Sequence, residues 1–259
     1  MFFFPLRDDN NHNIRPIITY IIFALCVVVF FWQLSIGINL TARVFGMTPL
    51  FIFGDSSPLP LPAWMTIISS LFLHGGFLHL AGNMLYLWIF ADNVEACMGW
   101  AKFIMFYILC GVAAALTQAG VNLTSEIPLI GASGAIAGVL GAYLLLYPRA
   151  NVRCVVGFFI FFKMVRVPAF LVLGVWIVLQ FYALGQLSDA SGGGVAYLAH
   201  IGGFVAGMVL IPFFKSPDVR LFSPAHSRAF EVSPIVARTH IPHIGKRPDN
   251  QSRNPWGEG

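Results

Sequence analysis

Apolar residues in this chain are gathered into long unbroken runs separated by short polar links. Six runs, at residues 17–36, 77–94, 101–119, 132–147, 169–187 and 195–214, approach the length of about 20 residues that carries a helix across the bilayer core. The fourth is short, so its upper end is expected to stop below the membrane surface. A long connection, 37–76, follows the first run. Within it residues 64–73 are apolar and amphipathic, and Pro58, Pro60 and Pro62 precede them. Such a segment lies in the interface or packs on the bundle. Residues 155–167 are also apolar, carry Lys163 and Arg166, and precede Pro168. They read as an interfacial segment or as an extension of the fifth helix. The expected fold is an all-α integral membrane protein, with six transmembrane helices in one bundle and a long, partly embedded first external loop. Residues 1–16 form a cytoplasmic segment, 17–214 the membrane domain, and 215–259 a polar tail expected to be disordered.

Composition agrees with the pattern. Hydrophobic residues make up 58% of the chain and charged residues 10%, against about 25% charged in soluble domains. The mean hydropathy is +0.78. The net charge of +4 is explained by topology rather than by nucleic acid. With the N-terminus inside, Arg7, Arg15, Lys102, Arg149, Arg153, Lys163, Arg166 and the basic residues of the tail all face the cytoplasm, and Arg43 alone faces out. Both termini are therefore expected in the cytoplasm, with the chain in the plasma (inner) membrane if its source is bacterial. The four cysteines match neither a zinc site nor a disulfide ladder and read as packing residues. No metal or other cofactor is implied. The first run lacks a small-x-small cleavage site and reads as a retained helix.

Polar residues inside the apolar runs then stand out, because ionisable groups in hydrocarbon are expensive. In this topology His79, Asn83, Ser133 and His200 all fall in the outer half of the bundle. His79 and Asn83 are four apart and share a helical face. His200, Gly203 and Gly207 form one small-residue stripe. Ser133, Ala137 and Gly141, flanked by Gly134 and Gly138, form another. Such faces let membrane helices approach closely, which would bring Ser133 and His200 within hydrogen-bond reach. A serine hydroxyl becomes a nucleophile when a base takes its proton, and histidine is mostly neutral and basic near pH 7. His79, Asn83 and the Ser133 backbone N–H can donate to an oxyanion. The apolar parts of the fourth and sixth helices hold no carboxylate, so the arrangement is a Ser–His dyad rather than a triad. Each signal has a plainer alternative: Gly131-Ala132-Ser133-Gly134 as a packing motif, and His200, His79 and Asn83 as bonds between helices. His74 reads as structural, tying down the long connection.

Gly131-Ala132-Ser133-Gly134, His200 with Gly203 and Gly207, and His74 followed by His79-Leu80-Ala81-Gly82-Asn83 resemble the rhomboid intramembrane serine proteases over about residues 17–214. The resemblance implies that Ser133 is the nucleophile, His200 the general base, and His79 and Asn83 oxyanion donors with the Ser133 N–H. It implies that Gly203 and Gly207 pack the sixth helix on the fourth, and that Glu95 is a structural acidic position. It also implies transmembrane substrates cut near the outer face. Two positions depart from the family. Trp64 is followed by Met65 and Thr66 where many members have Trp-Arg. Ala137 stands where some carry an aromatic residue stacked on the catalytic histidine, so another group must orient His200. The competing readings are a non-catalytic relative that binds or escorts membrane proteins, and a transporter. The first predicts a missing serine or histidine, the second buried acids and paired broken helices. The expected partners are transmembrane substrates and the lipid bilayer, with no nucleic acid; the oligomeric state is left open.

Overall fold

The computed structural model describes residues 2–10, 15–54, 57–158, 161–186, 196–225 and 227–233. In chain order its helices are α1 (Ile17–Ile36), α2 (Ile38–Phe45), α3 (Pro49–Phe53), α4 (Met65–Ser69), α5 (Phe77–Met98), α6 (Trp100–Ala119), α7 (Ser133–Leu146), α8 (Ala169–Gly185) and α9 (Tyr197–Phe214). Its strands are β1 (Phe2–Asp8), β2 (Asn151–Phe158), β3 (Phe161–Pro168) and β4 (Val232–Ser233). α1 and α5 to α9 fall on the six apolar runs. α1, α6 and α9 are each long and apolar enough to cross a membrane. α5 makes a fourth span when joined to Met65–Phe72, against which it is bent by 91°. His79, Asn83, Asp92, Asn93 and Glu95 lower its own hydropathy. α7 and α8 are shorter apolar helices.

α7 is the centre of the bundle. Every residue from Gly134 to Tyr143 is buried, and the helix packs on α5, α6 and α9. At 14 residues it is only about 21 Å long. Its closest partner is α9. A Cβ added at Gly203 would strike the Gly134 carbonyl oxygen, one at Gly207 the Gly138 carbonyl oxygen, and one at Gly141 the Phe204 carbonyl oxygen. On its other side Gly138 faces Cys110 and Gly134 faces Ala114, both on α6. The glycine stripes thus set α7 and α9 backbone to backbone and let the small side chains of α6 rest on α7, as small residues do in membrane bundles.

A carboxylate fixes one end of the bundle. α1 begins at Pro16, which has no side chain to cap the first N–H groups. Glu95 of α5 takes that role, accepting from the Ile18 N–H at 2.9 Å, the Thr19 N–H at 2.8 Å and the Thr19 hydroxyl at 2.8 Å. Glu95 is 2% exposed. Charge-assisted bonds and the positive end of the helix offset its desolvation. α5 and α6 turn through Gly99 alone, whose φ of +82° favours glycine.

The fold is not all-α. The four strands form one antiparallel sheet in the order β1-β2-β3-β4 at the Glu95 end. The described residues of 155–167 do not extend the fifth helix; they lie in the paired strands β2 and β3, with Val155 opposite Met164 and Val156 opposite Lys163. Alternation explains the strand: Val152 and Cys154 are fully buried while Arg153 and Val155 between and beside them are less so. The partner strand β1 lies about 150 residues earlier, with Pro5 opposite Cys154. The expected tail also returns to this end. The Phe222 and Ser223 N–H groups bond the Leu145 and Leu146 carbonyls of α7 at 2.7 and 2.9 Å. Glu231 pairs with Arg166 of β3. The rest of the tail, 234–259, lies outside the described residues.

Asp8, 8% exposed, seats β1 on the helices. Its carboxylate oxygen accepts from the Tyr143 hydroxyl at 2.6 Å and the Asn93 amide at 2.8 Å. Burial pushes the Asp8 carboxyl from 3.8 up to about 7, against the Tyr143 hydrogen bond, with Asp92 and Asp9 adding to the rise. The folded protein therefore holds this proton more tightly than the unfolded chain. The stability so gained is complete below about pH 4 and is lost as the pH rises through about 7.

Two outcomes follow from this packing. Gly203→Val or Gly207→Val forces α9 off α7, at a cost of about 1–3 kcal/mol or more, read as a lower melting temperature in detergent; Gly174→Val, where a Cβ meets nothing within 4 Å, is the neutral comparison. Asp8→Asn keeps a neutral group at the β1 seat. Its melting temperature should vary less between about pH 5 and 7.5 than that of the parent, which should fall.

Candidate active site

Opposite the sheet, the first turns of α5, α7 and α9 come together. Ser133 is the first residue of α7. It follows Gly131, whose φ of +130° and bond from its N–H to the Ser70 carbonyl (2.9 Å) turn the chain into the helix. No side chain caps this helix, so its positive end faces Ser133. His79 is in the first turn of α5 and Asn83 one turn further. A Cβ at Gly131 would lie 2.9 Å from His79 Nε2 and 3.4 Å from Ser133 Oγ, so the imidazole and the hydroxyl border one point. The Asn83 amide nitrogen is buried and has no partner. It is a free donor at this level of the bundle.

The glycine contacts bring His200 to the same end. Gly134 lies against Ala199, with the Ala199 carbonyl 3.8 Å from a Cβ placed on Gly134. The Ser133–Gly134 and Ala199–His200 segments are thus neighbours. A void of about 10 Å³, room for roughly one water, opens among Ser70, Gly131, Ser133, Gly134 and Ala199.

Three glutamines, passed over in the sequence, hold this end together. Gln33 of α1 accepts from the His74 N–H at 2.8 Å and donates to the Thr41 hydroxyl at 3.2 Å. His74, fully buried, is thereby anchored, with its ring 5.3 Å from that of His79. Gln118 of α6 accepts from the Ala199 N–H at 3.2 Å, serving a first turn of α9 that has no side-chain cap. Gln180 of α8 meets His200 Nδ1 at 2.8 Å. The Trp176 ring lies 5.9 Å from the His200 ring at 36°, and Tyr197 approaches it edge-on at 6.5 Å. These groups contact His200 where the sequence offered only Ala137, which is fully buried in the core. The signal was present: a lone amide within an apolar run is costly unless bonded.

α8 is attached unevenly. Its buried residues, Ala169, Val172 and Leu173, lie at its start. Further along, Val175, Val178, Leu179, Phe181 and Tyr182 are exposed. There the helix meets α5 through the Tyr86–Trp176 rings, 6.3 Å apart, and α9 through Trp176 and Gln180. Among the described residues no group of three or more His, Cys, Asp or Glu is placed to hold a metal.

Comparison with known proteins identifies the family. The family model for the Rhomboid domain matches residues 62–216. Rhomboid protease GluP of Bacillus subtilis is 31% identical over 134 residues, which cover 51% of this chain and 25% of that protein. Rhomboid protein 1, mitochondrial, of Saccharomyces cerevisiae is 30% identical over 56% of this chain and 40% of its own length. Rhomboid protease GlpG of Haemophilus influenzae is 28% identical over 195 residues, 74% of this chain and 88% of that protein. The chain thus spans a quarter to two fifths of the first two relatives and most of the third. With a matched domain over more than half of its length, and with apolar helices that mark an integral membrane protein, this chain belongs to the rhomboid family.

Proposed function

We propose that this protein is an intramembrane serine endopeptidase in which Ser133 is the nucleophile and His200 the general base. The observation that carries the reading is the glycine contact between α7 and α9. It brings the start of α7, which carries the serine, against the start of α9, which carries the histidine. Relatives named as proteases support it. In the reaction Ser133 Oγ attacks the carbonyl carbon of a substrate peptide bond while His200 takes the hydroxyl proton. The oxyanion forms at the positive end of α7, where the Ser133 N–H, the Asn83 amide and the His79 ring supply donors. His200 returns the proton to the leaving amine, and the C–N bond breaks. A water, deprotonated by His200, then attacks the acyl-serine ester; Ser133 leaves and recovers its proton.

The substrates proposed are transmembrane segments of membrane proteins. A helical amide is shielded by its own hydrogen bonds, so residues that weaken the helix near the scissile bond favour cleavage. The weak α5–α8 contact offers a lateral route for such a segment. All six long helices cross the bilayer in this reading, α7 and α8 within protein cover or thinned lipid. The basic sheet end lies in the cytoplasm, and the site opens to the opposite side.

Purified protein and a transmembrane peptide substrate test the reading. Ser133→Ala and His200→Ala should each lower kcat by at least about 10³-fold, and a serine-reactive phosphonate should label the parent but not Ser133→Ala. His79→Ala and Asn83→Ala should lower kcat by up to roughly 10²–10³-fold without abolishing turnover. Undiminished cleavage by Ser133→Ala would overturn the assignment.

A further inference from the structure

Gln180 and His200 are joined by a bond whose direction can be deduced. The Gln180 amide nitrogen donates to the Trp176 backbone carbonyl at 3.2 Å. A carbonyl oxygen only accepts, so the NH₂ group must be on that side. The side-chain oxygen then faces His200, 2.8 Å from Nδ1. That oxygen carries no hydrogen, so Nδ1 must be the protonated nitrogen. In a neutral imidazole the lone pair is then on Nε2. The tautomer of His200 is thus set by the Trp176 carbonyl, through the amide of Gln180.

The rest of the surroundings serves the same orientation. Trp176 and Gln180 are four apart on one face of α8. One lays its indole near the imidazole, and the other bonds its edge. Trp176 also touches Phe204 of α9, one turn beyond His200, with ring centroids 6.0 Å apart. Both contacts come from the part of α8 that has no fully buried residue.

We propose that Gln180 is the positioning residue of the general base. It holds His200 as the Nδ1–H tautomer so that Nε2 is free to take the serine proton, the task a carboxylate performs in a Ser-His-Asp triad. The proposal rests on the reading that His200 is the base. It adds that the base is competent while α8 is seated against α9.

The test compares Gln180→Leu and Gln180→Glu with the parent, Ser133→Ala and His200→Ala on one transmembrane peptide. Gln180→Leu removes the acceptor at similar size. It should lower kcat by roughly 10–100-fold, the scale of a misoriented catalytic group, with KM within about twofold. Gln180→Glu keeps an acceptor facing Nδ1. It should recover most of kcat and move the acid limb of the pH–rate profile to higher pH, because a carboxylate favours the imidazolium. In protein labelled with ¹⁵N-histidine, the His200 signals, assigned by their loss in His200→Ala, should show a protonated Nδ1 in the parent and a tautomer mixture in Gln180→Leu. If Gln180→Leu keeps kcat within twofold while Ser133→Ala is inactive, the positioning role is overturned and the protease reading stands. Equal loss of kcat and of melting temperature in both Gln180 variants, with no change in pH profile, would likewise overturn it in favour of a merely structural contact. Undiminished cleavage by Ser133→Ala or His200→Ala would instead overturn the protease reading itself.

Discussion

The contact between α7 and α9, made almost without side chains, is the constraint on which the other features depend. Glycine at 203 and 207 lets the α9 backbone rest on the carbonyl groups of Gly134 and Gly138. Between helices in lipid, van der Waals packing replaces the hydrophobic drive, and close approach is how it is gained. Because the two helices meet along their whole shared face, their first turns are held at one level. The first residue of α7 is Ser133, and His200 sits in the first turn of α9. A side chain inserted anywhere along this face would separate the two residues at its end.

The two ends of the bundle are secured by different chemistry. At the sheet end, buried carboxyl groups are matched by donors from other elements: Glu95 serves the start of α1, and Asp8 accepts from Tyr143 and Asn93. At the site end the work is done by neutral amides. Gln33, Gln118 and Gln180 each accept from or face a nitrogen on another element. A glutamine offers an acceptor and a donor without introducing a charge, which suits a region that reads as lipid-surrounded. The uneven seating of α8 belongs to this arrangement: a tightly packed start lets the remainder meet the bundle through a few specific contacts.

Much of the helical layout was legible in the chain because its signals are local. An apolar run of about 20 residues, a glycine every third or fourth position, and a histidine or serine within such a run are visible without any partner. The starts of α5 and α7 and the stripes on α7 and α9 agree with that reading. The sheet did not show itself in this way. Its hairpin, rich in valine and phenylalanine, is apolar enough to pass for part of a membrane segment, and periodicity cannot separate the two in a short run. What makes it a sheet is β1, a partner at the far end of the chain.

The amino-acid sequence by itself determined where the chain is apolar, where helices can approach closely, and which polar residues are too costly to be incidental. Only the tertiary structure decided which of those polar residues meet. Gln180 and His200 are 20 positions apart on different helices, and Glu95 and Thr19 are 76 apart. Hydrogen bonds between such groups depend on distance and direction in three dimensions, and no repeat along the chain encodes either.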